Sequence, residues 1–431
     1  MMKKIKNTLT ALLTLAICAG YSQMPKAESG SFALTNATIE TVTKGTISNG
    51  TILIVDGKIA EVGTNVSIPS GAKSIDCTGL TVYPGMIDGG TQIGLVEVGS
   101  DPRTRDNNEI GEVIPHIQAL TAVNPSSAVL PVTRVSGVTT ALTMPSGGLF
   151  PGTAALINLH GYTPDQMFAG FKGIVLNFPS TGRRGRWDRR SDEDIKKAAE
   201  KALKQLNDVW DKALQYHKID SATNGKDQPY YPEMEALLPA VRGEMKLLIS
   251  VNASSDIKAA IKWVKERKAD AILCGVVEGW RVATEIAESG IPVIAGPVLT
   301  NPTRDYDRYD RPYANAGLMQ KAGVKVAIRT NDIENVRNLP YHAGFATTYG
   351  MDKMEALKAI TIVPAEIFGV ADSYGSIEKG KVANLFVTDG DPFETKTQVK
   401  YVFIDGWNIP MVSRHTQLYN EYLNRAPGVE K

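Results

Sequence analysis

The chain has 431 residues, 43% of them hydrophobic, with a formal net charge of +1. That is enough apolar material for a large buried core and two or three domains. The near-neutral charge gives no electrostatic reason to expect nucleic acid or an anionic membrane surface as partner.

Residues 1–22 read as a signal peptide. Lys3, Lys4 and Lys6 form a positive start, Leu9–Cys18 a short apolar run, and Ala19, Gly20 and Ser22 a cleavable stretch of small residues. The run is too short to span a bilayer as a helix, and no later run is long enough. Ile17 stands where lipid attachment at Cys18 would need a small residue. The expectation is export to a bacterial periplasm or cell envelope, without a lipid anchor. The mature chain keeps two cysteines, Cys77 and Cys274, too few for a disulfide framework or a cysteine-based zinc site.

From Phe32 to Tyr83 the chain reads as short strands, with Asp56-Gly57 as a hairpin turn between Thr51–Val55 and Lys58–Val62. Val382–Val387 and Val399–Ile404 near the other end have the same texture, with turns at Asp389–Pro392 and Asp405-Gly406. Residues 32–83 and 374–412 are therefore expected to form one small discontinuous β-sandwich domain, followed by a tail at 413–431.

The middle alternates strands and helices. Buried strands are expected at Val82–Asp88, Val138–Met144, Ala154–Leu159, Gly173–Phe178, Lys246–Asn252, Ala271–Val277, Pro292–Gly296 and Val324–Asn331. Eight strands with helices between them suit an α/β fold, a (β/α)8 TIM-type barrel over residues 84–372. Ile195, Ala199, Leu206 and Trp210 mark a long helix with Ser191 as N-cap, and Ser254 or Ser255 is the expected cap of the next. In such barrels chemistry sits at the C-terminal strand ends.

Three segments carry a resemblance to a known family. Pro84-Gly85-Met86-Ile87-Asp88-Gly89-Gly90-Thr91-Gln92 resembles the first barrel strand of the amidohydrolase superfamily, written Pro-Gly-φ-Ile-Asp-x-His-x-His. Ala356-Leu357, Thr361 and Pro364-Ala365 are similar to that family's late helix, and Gly375–Leu385 to its return into the β domain. The likeness covers almost the whole mature chain and is nearest the imidazolonepropionase-like branch. The resemblance implies catalytic metals held by the two first-strand histidines, a Lys or Glu on strand four, histidines on strands five and six, and an Asp on strand eight that also shuttles protons. It further implies hydrolysis of non-peptide carbon–nitrogen bonds, as in cyclic amides, with zinc or another divalent ion as cofactor if the chain is active.

The slots hold other residues here: Gly90 and Gln92 on strand one, Val175 on strand four, Asn252 on five, Gly275 on six and Asn331 on eight. Glycine has no donor, and an amide oxygen is a poor substitute for imidazole on zinc. A shift of one residue would put Asp332 in the shuttle's slot, which makes it the one catalytic candidate. His160 and His342 follow strands three and eight, and with Asp332, Glu109, Glu112 or Asp88 they are the material for a rebuilt mononuclear site. His116, His217 and His415 read as surface histidines. Asp88 reads as a hydrogen-bond acceptor at the strand end, Glu278 as a cap for the helix after it, and Cys274 as a small buried side chain. Beyond the family pattern, the loop after strand four carries Arg183, Arg184, Arg186 and Trp187, residue types enriched at binding hot spots.

The chain is thus expected to keep the fold without its metal chemistry or any cofactor, binding a small molecule in the barrel mouth or pairing with an active homologue, with homo- or hetero-oligomers open. The alternative is a hydrolase with a rebuilt or metal-free site.

Overall fold

A computed structural model describes residues 25–182, 188–223, 229–423 and 425. The signal peptide expected at 1–22 and the loop residues Arg183, Arg184, Arg186 and Trp187 lie outside the described residues.

One sheet is built from both ends of the chain. Its N-terminal strands are β1 (Phe32–Glu40), β2 (Thr46–Val55), β3 (Lys58–Gly63), β4 (Lys73–Asp76) and β5 (Thr81–Pro84). The barrel strands come next along the chain: β6 (Met86–Thr91), β7 (Val138–Thr143), β8 (Gly152–Asn158), β9 (Phe168–Asn177), β10 (Leu247–Val251), β11 (Ala271–Gly275), β12 (Val293–Ala295) and β13 (Val326–Ile328). The chain then returns to the first sheet with β14 (Leu385–Thr388), β15 (Val399–Ile404) and β16 (Trp407–Ile409).

The terminal sheet runs β16-β15-β14-β5-β1-β2-β3, with β4 beside β1. Its two layers come from one continuous ladder that curls over. Phe32, Ile54, Ile59, Leu385 and Phe403 meet in a common core. The curl brings the two hairpin turns together, and a Cβ on Gly406 would strike Gly57. Asp56 (φ 49°) and Gly57 (φ 78°) adopt the left-handed conformation of a two-residue hairpin. The expected strand Val82–Asp88 is split at Gly85: β5 serves this sheet and β6 opens the barrel.

The barrel sheet runs β6 to β13 in chain order, and its interior is filled by Ile87, Leu142, Leu156, Val175, Leu248, Ile272, Ile294 and Ala327. The α/β barrel expected from the alternation is present, with one departure. β8 pairs antiparallel with both β7 and β9, whereas the other neighbouring strands pair parallel. The reason is length: residues 144–151 are too few for the crossover of a dozen or more residues that a parallel connection needs.

First and last strands do not share a ladder, so the seam between them is closed by other groups. Near one end, the backbone N–H groups of Ile87 and Ile328 donate to the carbonyls of Ile360 and Ala359. At the functional pole Asn331 N–H donates to Gly90 O (3.1 Å). The carboxylate of Asp88, fully buried, accepts from Thr330 N–H (3.2 Å), Thr330 Oγ1 and Gly90 N–H (2.9 Å). Asp88 is a staple across the seam, and burial raises its pKa to about 6 against the lowering effect of these bonds.

Ser191 caps the helix Asp192–Thr223 as expected, accepting from Asp194 N–H at 3.0 Å. Neither serine caps Ser254–Arg267; Glu278 from the next strand end accepts the Ser254 N–H instead. Glu278 therefore serves the preceding helix, not the following one. Its carboxylate also takes Arg304 through Nε (2.7 Å) and Nη2 (2.8 Å).

Candidate functional site

The C-terminal ends of β6, β7 and β9–β13 surround a mouth, together with the start of the reversed β8. Gly90 lies near the end of β6 and Gln92 follows it, Asn177 ends β9, Asn252 follows β10, Gly275 ends β11, and Asn331 follows β13. Val175 lies in the buried barrel interior, one turn of the pleat below the rim. Gln92 is half-buried and its Oε1 accepts from Asn107 Nδ2 at 3.0 Å. Asn177 Nδ2 donates to Gly148 O at 2.8 Å, while Asn252 and Asn331 are exposed.

The centre of this ring is filled by a residue that neither the family pattern nor the candidate set includes. Arg329, directly after β13, is 7% exposed and crosses the barrel just beneath the rim. Its Nε faces Gly296 O at 3.4 Å and its Nη1 faces Met144 Sδ at 4.0 Å. The two glycines in the ligand slots make room for it. A Cβ on Gly90 would lie 3.2 Å from Arg329 Cδ and 2.9 Å from Met144 Sδ. A Cβ on Gly275 would lie 3.2 Å from Arg329 Nη2 and collide with Asn252 Oδ1, in a backbone conformation (φ 90°) that side chains avoid. The signal is present in Val326-Ala327-Ile328-Arg329: an arginine ending an apolar barrel strand is too costly to bury without a purpose.

These residues do not fit a metal. Among the described residues no three His, Cys, Asp or Glu side chains gather where they could hold an ion. The residue at the centre is itself a cation. Burial lowers its pKa from the ordinary arginine value, with Cys274 and Asp88 opposing that shift.

The other candidates are dispersed. Asp332 sits half-buried at the rim, where its Oδ1 accepts the backbone N–H groups of Ile333 (2.6 Å), Glu334 (3.0 Å) and Asn335 (3.1 Å). Burial works to raise its pKa, and those N–H groups outweigh burial and leave it below the ordinary value. His342 is buried at the same pole, accepting from Val298 N–H on Nδ1 (3.2 Å), and burial holds its pKa down at about 4 despite Asp332. His160, expected at this pole, is at the other. Because β8 is reversed, its C-terminal end points at the terminal sheet, and the His160 ring lies 5.5 Å from that of Trp407. Glu109 and Glu112 are exposed on the long connection after β6. Cys274 is fully buried and burial raises its thiol to about 11, which matches a packing residue.

The comparisons with known proteins bear on the fold and the lineage. The amidohydrolase family profile matches residues 82–409. The amidohydrolase tasK of Hapsidospora irregularis is 22% identical over 391 residues, which cover 83% of this chain and 39% of that protein. An imidazolonepropionase of Flavobacterium johnsoniae is 35% identical over 97 residues, 21% of this chain and 23% of that protein. The chain thus spans well under half the length of these curated relatives. An amidohydrolase crystal structure from Thermotoga maritima superimposes with a TM-score of 0.78 at 25% identity, over 89% of this chain and 100% of that one.

Proposed function

The chain belongs to the amidohydrolase family, and on that premise we propose that it is an exported member that binds a small molecule in the barrel mouth without metal-assisted hydrolysis. Members of this family are usually metal-dependent. The observation that carries the proposal is the Arg329 side chain lying between Gly90 and Gly275, two of the inherited ligand positions. A guanidinium and a divalent ion ~4 Å apart repel by about 8 kcal/mol at an effective dielectric of ~20, twice the unit-charge figure. Several carboxylates would be needed to offset that. The nearest one, Asp88, is already bonded to Thr330 and Gly90.

A fixed cation in place of a metal supplies charge but no activated water. An arginine remains protonated throughout the usable pH range and offers no open coordination position for hydroxide. What it retains is the capacity to orient an anionic or strongly dipolar group. The export part of the proposal rests on the composition of residues 1–22.

The test is to incubate the purified mature chain with zinc, remove free metal, and measure metal content with turnover on cyclic amides and dipeptides. Substoichiometric metal and no turnover are expected. One tightly held ion per chain, with turnover that a chelator abolishes, overturns the proposal.

A further inference from the structure

We infer that the barrel mouth is an anion site in which Arg329 binds the carboxylate of a small ligand, with Asn252 as a second contact. The inference rests on the metal-independent reading above and names the ligand class for that site.

Arginine carries five N–H donors and no acceptor. In Arg329 the Nε donor meets Gly296 O at the long distance of 3.4 Å, and Nη1 meets a thioether sulfur, a weak acceptor. Nη2 has no acceptor among the described residues, and no carboxylate among them comes within ion-pair distance of the guanidinium. Buried charges are ordinarily paired, and an arginine more than nine-tenths buried with one nitrogen unanswered is a site prepared for a partner. Nη2 lies beside Gly275, where the space a side chain would take is held by the Asn252 amide; that amide, turned about its last bond, presents Nδ2, the donor that a carboxylate needs. Asn252 is exposed, and its amide has no protein hydrogen bond among the described residues.

The charge selects the anion. One guanidinium is neutralised by one monoanion, and Asp88 already acts on Arg329 electrostatically from below. A dianion would leave surplus negative charge in a poorly solvated space, so a carboxylate is favoured over a phosphate.

The experiment is a ligand-observed NMR titration of the mature full-length chain with N-acetylglycine. Acetamide serves as the uncharged control and inorganic phosphate as the rival anion. Wild type is expected to bind N-acetylglycine and not acetamide, with phosphate at least tenfold weaker. Arg329→Met should abolish binding, Arg329→Lys should weaken it at least tenfold through loss of the planar donor set, and Asn252→Ala should weaken it about fivefold, the loss of one hydrogen bond. Circular dichroism checks the fold of each variant; Asn252 is exposed, so its variant tests the site even if both Arg329 variants fail to fold. No binding of N-acetylglycine by wild type, binding retained in folded Arg329→Met, unchanged affinity in Asn252→Ala, or tighter binding of phosphate each overturns the inference. A metal-free, inactive wild type that also fails to bind the carboxylate removes this inference alone. Stoichiometric zinc with turnover removes the functional proposal as well.

Discussion

Gly90 is where the space that Arg329 fills can be measured as energy. Adding one methyl group there places a carbon 2.9 Å from Met144 Sδ, 3.2 Å from Arg329 Cδ and 3.4 Å from Arg329 Nη1. All three distances are below or at the edge of ordinary contact, and Met144 and Arg329 are both buried. Overpacking of this kind costs about 1–3 kcal/mol, so Gly90→Ala is expected to lose about 2 kcal/mol of stability. If Arg329 supplies much of the obstruction, truncating it relieves part of that cost. In a cycle of Gly90→Ala, Arg329→Ala and the double variant, the double variant should be about 1 kcal/mol more stable than the sum of the singles. The assay is urea unfolding followed by tryptophan fluorescence; Trp210 and Trp263 pack edge-to-face 5.3 Å apart in the core and report its loss. Additivity to within about 0.3 kcal/mol would refute the claim that the arginine occupies this space. By the same reasoning, Gly90→His adds a ring where there is no room and should not create a zinc site.

Stability should also depend on pH through buried groups that pull in opposite directions. Burial raises Asp88 and Asp405 to about 6, above the ordinary aspartate value of 3.8. A carboxyl with a raised folded-state pKa contributes stability that is full below its unfolded pKa and is lost as pH rises through the folded value. Between about pH 4 and pH 6 these two aspartates lower the urea midpoint as pH rises, while His160 and His342, which burial holds at about 4 against an ordinary 6.5, raise it. Asp88→Asn with Asp405→Asn should therefore leave a midpoint that climbs with pH more steeply than that of wild type, and an unchanged slope would contradict this. Glu278 joins Arg304, Thr303 and the start of the helix Ser254–Arg267. Since the Arg304 side chain is 38% exposed and partly rehydrates, Glu278→Ala should cost about 2 kcal/mol, less than a fully buried pair. An unchanged thermal midpoint for that variant would show the network to be idle.

Much of the architecture is legible in the chain because its signals are local. Asp56-Gly57 and Asp405-Gly406 state their turn type in two residues, and each barrel strand is a short apolar run with polar ends. The direction of β8 is not legible in its own residues. Its sequence Gly152–Asn158 is buried throughout, and such a run looks the same in either orientation. The short connection before it carries the information. That one reversal moves His160 from the expected pole to the opposite one. The site is harder for a different reason: the family pattern directs attention to the positions it names, and Gly90 and Gly275 appear there as losses. What explains them is Arg329, a residue outside the pattern whose side chain reaches from the last strand to both glycines. Only three dimensions join these residues.

The barrel's seam has a consequence for the order in which the molecule assembles. The reversed strand makes β7–β9 a meander, in which Ile157 pairs with Phe168 across a short loop. Asp88 and Thr330, by contrast, are 242 residues apart in the chain. Loop-closure entropy favours early formation of the near pairs and late formation of the distant ones. The seam is then the last part of the barrel to close and the first to open. Amide protons of Thr330 and Asn331 should exchange with solvent through smaller openings than those of β8 and β9. Since Arg329 is adjacent to that seam, a ligand that ties it to Asn252 would act as a latch on the whole barrel.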